Sequence, residues 1–86
     1  QQAIISALQS AISEGVPLYN GGSPERCYDV YRTVLKDILT LAPDQLKPSQ
    51  RALINKALGQ AQQLSNPNDQ AWAMRTAMDA LLNDMN

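Results

Sequence analysis

The stretch of residues 23–41 constrains the fold of this chain most strongly, because its apolar residues recur with the period of an α-helix. On a helical wheel the apolar side chains share one broad face, which consists of Cys27, Val30, Tyr31, Val34, Leu35, Ile38 and Leu41 and is widened by Tyr28 and Leu39. Ser23 is suited to cap this helix, and Pro24 to the first helical position, where a missing N–H breaks no hydrogen bond. A face this wide predicts a helix that packs against more than one neighbour.

Three further helices are predicted by the same periodicity. Helix one is expected over about residues 1–14, with Gly15 as its C-cap residue. Helix three is expected over residues 49–64, and helix four extends from an Asn66 cap to about residue 83. Their inward-facing residues are Ala3, Ile4, Ala7, Leu8, Ala11 and Ile12 in helix one, Leu53, Ile54, Ala57, Leu58, Ala61 and Leu64 in helix three, and Ala71, Met74, Met78, Leu81, Leu82 and Met85 in helix four.

The connections between these helices are short and rich in Gly and Pro. Pro17 biases Val16 away from helix, and residues 20–22 suit a tight turn. Leu46 is too apolar for a solvated loop and is expected to close one end of the bundle. Short connections make consecutive helices antiparallel neighbours. Residues 1–86 therefore predict a single all-α domain, an up-down-up-down four-helix bundle; the alternative is two helical hairpins packed at a steep angle.

Composition excludes several classes of function. The net charge of −1 gives no basic field for a nucleic-acid backbone. No apolar run reaches the roughly 20 residues that span a bilayer. The chain has no His and one Cys, so we expect no cofactor, no metal site and no catalytic group. It begins at Gln1 without Met, which fits either a processed exported protein or an excised domain and leaves the compartment open.

Two sets of sulfur-containing side chains have a structural interpretation and a chemical one. Cys27 is expected to be a buried thiol, although a position near a helix N-terminus would also favour a reactive one. Met74, Met78 and Met85 form a stripe that could bind Cu(I), but adaptable core filling is the expected role.

The first candidate site is the loop before helix two. Free backbone N–H groups at a helix N-terminus favour an anion, and Arg26 adds a cation one turn later. The residues of this candidate are Tyr19, Asn20, Gly21, Gly22, Ser23 and Arg26. An ordinary turn with a helix cap is the simpler interpretation, and Glu25 would repel an anion there.

Two candidate interface sets lie on helices three and four. Trp72, Arg75 and Asp79 share one flank of helix four, where Arg75 and Asp79 can pair and Trp72 can anchor a contact. Small residues expected to face outward would let a second helix approach closely, namely Ala52, Gly59, Ala73, Ala77 and Ala80. The simpler interpretations are a partly buried Trp beside an ion pair and an Ala-rich helix that reflects helix propensity alone.

The leading functional hypothesis is a non-enzymatic helical module that acts through contact with a protein partner, or through self-association as a homodimer. The alternative is a small-ligand or anion binder that uses the loop from Tyr19 to Arg26. An enzyme with Cys27 as nucleophile ranks third.

Overall fold

The computed structural model of the protein describes residues 2–85, and within them the chain forms four α-helices and no strand. The helices are α1 (Gln2–Asn20), α2 (Pro24–Leu41), α3 (Pro48–Gln63) and α4 (Pro67–Met85), with a 3-10 turn at Pro43–Gln45 between α2 and α3. The predicted all-α four-helix bundle is confirmed. The expected start of helix one at Gln1 lies outside the described residues. None of the helices of residues 2–85 has the length and apolar character that crossing a membrane requires.

Helix α2 is central to the bundle, as its wide apolar face predicts. It packs against α1 and against α4, and α3 packs against α4, so the α1/α2 and α3/α4 hairpins meet mainly through α2 and α4. Its buried residues are Cys27, Tyr31, Leu35 and Ile38, with Tyr28, Val30, Val34 and Leu39 partly buried beside them. Leu41 was expected on this face but is 80 % exposed, because it is the last residue of the helix.

The predicted end of helix one at Gly15 is wrong, since α1 continues through Pro17 to Asn20. Gly15 is buried against the ring of Tyr31, and a Cβ built there would lie 2.7 Å from Tyr31 Cζ and 2.9 Å from its hydroxyl oxygen. The glycine therefore permits a close helix–helix approach rather than a left-handed cap. Pro17 removes the amide that would bond to the carbonyl of Ser13, but both residues are exposed, so water can reach that carbonyl.

The turn between α1 and α2 is a Schellman motif centred on Gly22, whose φ is 91°. The amide of Gly22 donates to the Tyr19 carbonyl at 3.2 Å, and the amide of Ser23 donates to the Leu18 carbonyl at 2.9 Å. The carbonyl of Ser23 in turn accepts the amides of Arg26 and Cys27, both at 3.1 Å. Ser23 thus ends one helix and begins the next, although its side chain makes no cap hydrogen bond.

The connection between α2 and α3 is fixed by one buried apolar residue and two polar residues. The apolar one, Leu46, is 4 % exposed and closes the end of the bundle as predicted. Arg51 donates to the carbonyls of Pro43 and Leu46, at 3.1 and 2.9 Å. Gln50, which is 2 % exposed, accepts the Lys47 amide at 2.8 Å and donates to Asp84 Oδ2 at 2.6 Å. Gln50 thereby ties the start of α3 to the end of α4.

The connection between α3 and α4 carries the predicted cap. Asn66 Oδ1 accepts the Asn68 amide at 2.8 Å at the start of α4. Gln70 Nε2 then bonds back to the carbonyls of Ala61 and Leu64, at 3.1 and 2.9 Å, and so satisfies the end of α3. Leu64 was expected inside but is 37 % exposed, because α3 ends at Gln63.

Candidate functional site

A pocket of about 340 Å³ opens on the side of the bundle where α1, α2 and α4 meet. Helix α1 contributes Val16, Tyr19 and Asn20 to its lining, α2 contributes Cys27 and Tyr31, and α4 contributes Ala71, Trp72 and Arg75. The volume lies at the lower end of the range of about 300–1,000 Å³ that is usual for small-molecule sites. Mostly apolar walls with a few polar groups are also typical of such sites.

The outer wall of the pocket is an aromatic pair. The indole Nε1–H of Trp72 donates to the Tyr19 hydroxyl at 3.0 Å, and the two rings meet edge to face with centroids 5.9 Å apart and an interplanar angle of 76°. Trp72 nevertheless stays 57 % exposed. The contact fixes the orientation of a large aromatic surface at the rim, and the O–H of Tyr19 remains a donor because the oxygen acts here as acceptor.

The floor of the pocket is made by two almost fully buried residues of α2. Cys27 is 1 % exposed and Tyr31 is 2 % exposed. Burial raises the pKa of the Tyr31 phenol above its ordinary value, the neighbouring Cys27 thiol raises it further, and Arg75 acts in the opposite direction. At neutral pH Tyr31 therefore presents a neutral hydroxyl.

Arg75 is the charged residue of the lining, and none of the described lining residues is acidic. Its Nε–H donates to Asp79 Oδ1 at 3.1 Å, in an ion pair whose side chains are 29 % and 56 % exposed. The hydrogen bond to Asp79 is the main cause of the raised pKa of Arg75, while partial burial acts in the opposite direction and the neighbouring Tyr31 hydroxyl raises the pKa further. The guanidinium is therefore a permanent cation at the wall of the pocket.

The residues of the predicted loop site are separated by the fold. Tyr19 and Asn20 line the pocket, whereas the amides of Gly21, Gly22 and Ser23 all donate to carbonyls of α1. Those three donors are consequently not available to an anion. Arg26 lies with Glu14, Glu25 and Asp29 in a second, more open depression, where carboxylates surround it.

The predicted surface of small residues is smaller than expected. Ala77 was expected to face outward but is 4 % exposed, because α4 packs against both α2 and α3 and buries a wider arc than one partner would. Ala52, Gly59 and Ala80 are exposed, and Ala73 is partly buried. Trp72 and Arg75, from the other interface candidate, instead join Tyr19 at the pocket, and Asp79 lies behind Arg75 as its partner.

The sulfur-containing residues belong to the core. Met74 and Met78 are fully buried, and Met85 packs against the same core. Among residues 2–85 no group of three or more His, Cys, Asp or Glu side chains is placed to hold a metal ion.

The sequence pattern alone does not place Val16, Tyr31 or Ala71 in a site. Their apolar character is also that of core residues, and nothing in the pattern distinguishes a pocket wall from a core position. The pairing of Tyr19 with Trp72 joins positions 53 residues apart and depends on how α1 and α4 are placed. Comparison of the chain with protein-family models, with curated proteins and with solved structures finds no match.

Proposed function

We propose that this domain is a non-enzymatic binding module whose site is the pocket between α1, α2 and α4, and that the pocket receives a small apolar or aromatic group. The observation that carries the proposal is the position of Trp72. This large apolar side chain is 57 % exposed, yet its orientation is fixed by Tyr19 beside a concave, mostly apolar opening. A ligand that covers it removes apolar surface from water, at roughly 25 cal/mol per Å².

The polar groups of the pocket suit orientation of a ligand. Tyr19 and Tyr31 supply hydroxyls at the rim and the floor, and Arg75 supplies a cation at the wall. A few polar groups in an otherwise apolar pocket fix how a ligand lies, while apolar contact supplies most of the affinity.

The test uses the single tryptophan of the chain as its reporter. We expect benzyl alcohol, a small neutral aromatic probe, to change the emission of Trp72 saturably and to raise the melting temperature saturably. Val16→Phe should abolish both responses, because Val16 lines the pocket and is partly exposed, so that a larger ring fills the opening.

Leu41→Phe is the matched control for this substitution. Leu41 is exposed at the end of α2 and does not line the pocket, so an aromatic ring there should leave both responses unchanged. A response that rises without saturation, or one that survives in Val16→Phe, would contradict the proposal.

Self-association through the same surface is the second candidate function. It is favoured by the exposure of Trp72 next to Arg75, since Trp and Arg are the residue types that most often anchor protein interfaces. The two candidates make different predictions, because a dimer that covers Trp72 would compete with a small ligand for the pocket.

A further inference from the structure

We infer that the ligand of this pocket is a one-ring apolar molecule that carries a carboxylate, with Arg75 binding the carboxylate and the Trp72–Tyr19 wall covering the ring. The inference rests on the proposed function and names the chemical class of the ligand.

The charge of the pocket lining determines whether an anionic or a cationic ligand is favoured. Arg75 is the charged residue of the lining, and the carboxylates near Arg26 lie in the other depression. A cationic ligand would meet Arg75 without a lining carboxylate to offset the repulsion. An anionic ligand meets a cation in a mostly apolar setting, where the attraction is screened less than at an open surface.

The ion pair with Asp79 leaves Arg75 able to bind an anion. A guanidinium has five N–H donors, and the hydrogen bond to Asp79 uses the one on Nε. The terminal nitrogens are the donors that bind a carboxylate in a bidentate way. Because Asp79 is 56 % exposed, its attraction for Arg75 is weakened by water and does not prevent a second carboxylate from binding.

The size of the pocket limits the apolar part of the ligand. A volume of about 340 Å³ has room for one ring with a short linker, and not for an extended chain. The ring would lie against Trp72, whose indole is held at the rim, while the linker reaches Arg75 one helical turn further along α4.

The experiment compares 3-phenylpropionate with its neutral amide, 3-phenylpropanamide, by calorimetric titration of the whole chain. The two probes have the same ring and linker and differ in charge. We expect the carboxylate to bind about tenfold more tightly, which corresponds to about 1.4 kcal/mol. Arg75→Gln should reduce this ratio to about one. Arg26→Gln removes the same charge outside the pocket and should leave the ratio unchanged.

Asp79→Asn separates direct binding from a structural effect. The substitution releases Arg75 from its partner, so we expect tighter binding of the carboxylate and unchanged binding of the amide. A purely structural role for the ion pair predicts that Arg75→Gln and Asp79→Asn alter affinity in the same direction, and that result would overturn the inference.

The remaining outcomes distinguish this inference from the proposed function. Equal binding of the two probes would overturn the role of Arg75 and leave the pocket as the binding site. Binding of benzyl alcohol without binding of either probe would likewise overturn the role of Arg75 and leave the pocket as the binding site. Binding of none of the three compounds would overturn both proposals. An equal loss in Arg26→Gln and Arg75→Gln would show long-range attraction in place of direct contact and would overturn the inference.

Discussion

Replacement of Gly15 by Ala should destabilise the domain even though it improves helix propensity. Ala is favoured over Gly inside a helix by about 1 kcal/mol. The new Cβ would overlap the buried ring of Tyr31, with Cζ at 2.7 Å and the hydroxyl oxygen at 2.9 Å. Overpacking of a core costs about 1–3 kcal/mol, and contact with several atoms of one rigid ring places Gly15→Ala near the upper limit. The expected net loss is therefore about 2 kcal/mol.

The assay is urea denaturation followed by circular dichroism, with the melting temperature as a second measurement. For a domain of this size about 2 kcal/mol lowers the melting temperature by roughly 8–16 °C. Gly59→Ala is the matched control, because a Cβ at Gly59, also inside a helix, meets nothing within 4 Å. It should stabilise the protein by up to about 1 kcal/mol.

Gly15→Asn separates close packing from a left-handed cap. Asn tolerates the left-handed conformation better than Ala, so at a C-cap it would be the milder substitution. Where the position packs against the ring of Tyr31, Asn should instead be more damaging than Ala, because its side chain is larger and polar. If Asn proves milder than Ala, or if Gly15→Ala matches the parent protein in stability, the packing of α1 against α2 is not as described.

Four further predictions concern the core, the two groups at the pocket floor and the oligomeric state. Ile38→Asp should unfold the domain, because it places an unpaired charge at a site that is 5 % exposed; a cooperative melt like that of the parent would contradict this. A thiol reagent should modify Cys27 slowly in the native protein and rapidly in urea, and fast native modification at neutral pH would restore the reactive-thiol hypothesis. Folding raises the pKa of Tyr31 from an unfolded value of 10.0. The contribution of this proton binding to the free energy of unfolding is therefore complete below about pH 10 and is lost as the pH rises through the higher folded pKa. Absorbance titration of the parent protein and of Tyr31→Phe at alkaline pH identifies the pKa of this phenol. An ordinary pKa for the phenol that the substitution removes would contradict the prediction. If the second candidate function holds, sedimentation equilibrium should detect a dimer that Trp72→Ala weakens without loss of helix content; a monomer at ~100 µM would exclude a stable dimer.

The sequence predicts those parts of the fold that local patterns determine. The apolar repeat of α2 and the Asn66–Pro67 start of α4 depend on neighbouring residues, and both are present in the structure. The end of α1 is different, because Gly15 and Pro17 both favour termination locally. Packing against Tyr31 from another helix outweighs that preference.

The site is less predictable than the fold, because its residues come from three helices. Tyr19 and Trp72 are each conspicuous in the sequence, but their contact depends on how α1 and α4 are placed. Ala77 and Ala80 have the same side chain, but Ala77 is buried and Ala80 exposed because α4 packs against more than one helix. A helical wheel drawn for one helix contains no information about how many partners that helix has.

The turn at residues 20–23 joins the first two helices directly, since Ser23 takes part both in the hydrogen bonds that end α1 and in those that begin α2. Each of the three residues between the helices takes part in this hydrogen bonding. The turn therefore sets the orientation of α2 relative to α1 and the spacing between Val16 and Cys27 across the pocket. A one-residue insertion here would release one of the two helix ends or, if it extended α1 by one residue, would move the point where the chain leaves α1 by about 100° around the helix axis. The length of this turn therefore helps to set the width of the pocket, although none of residues 21–23 lines it.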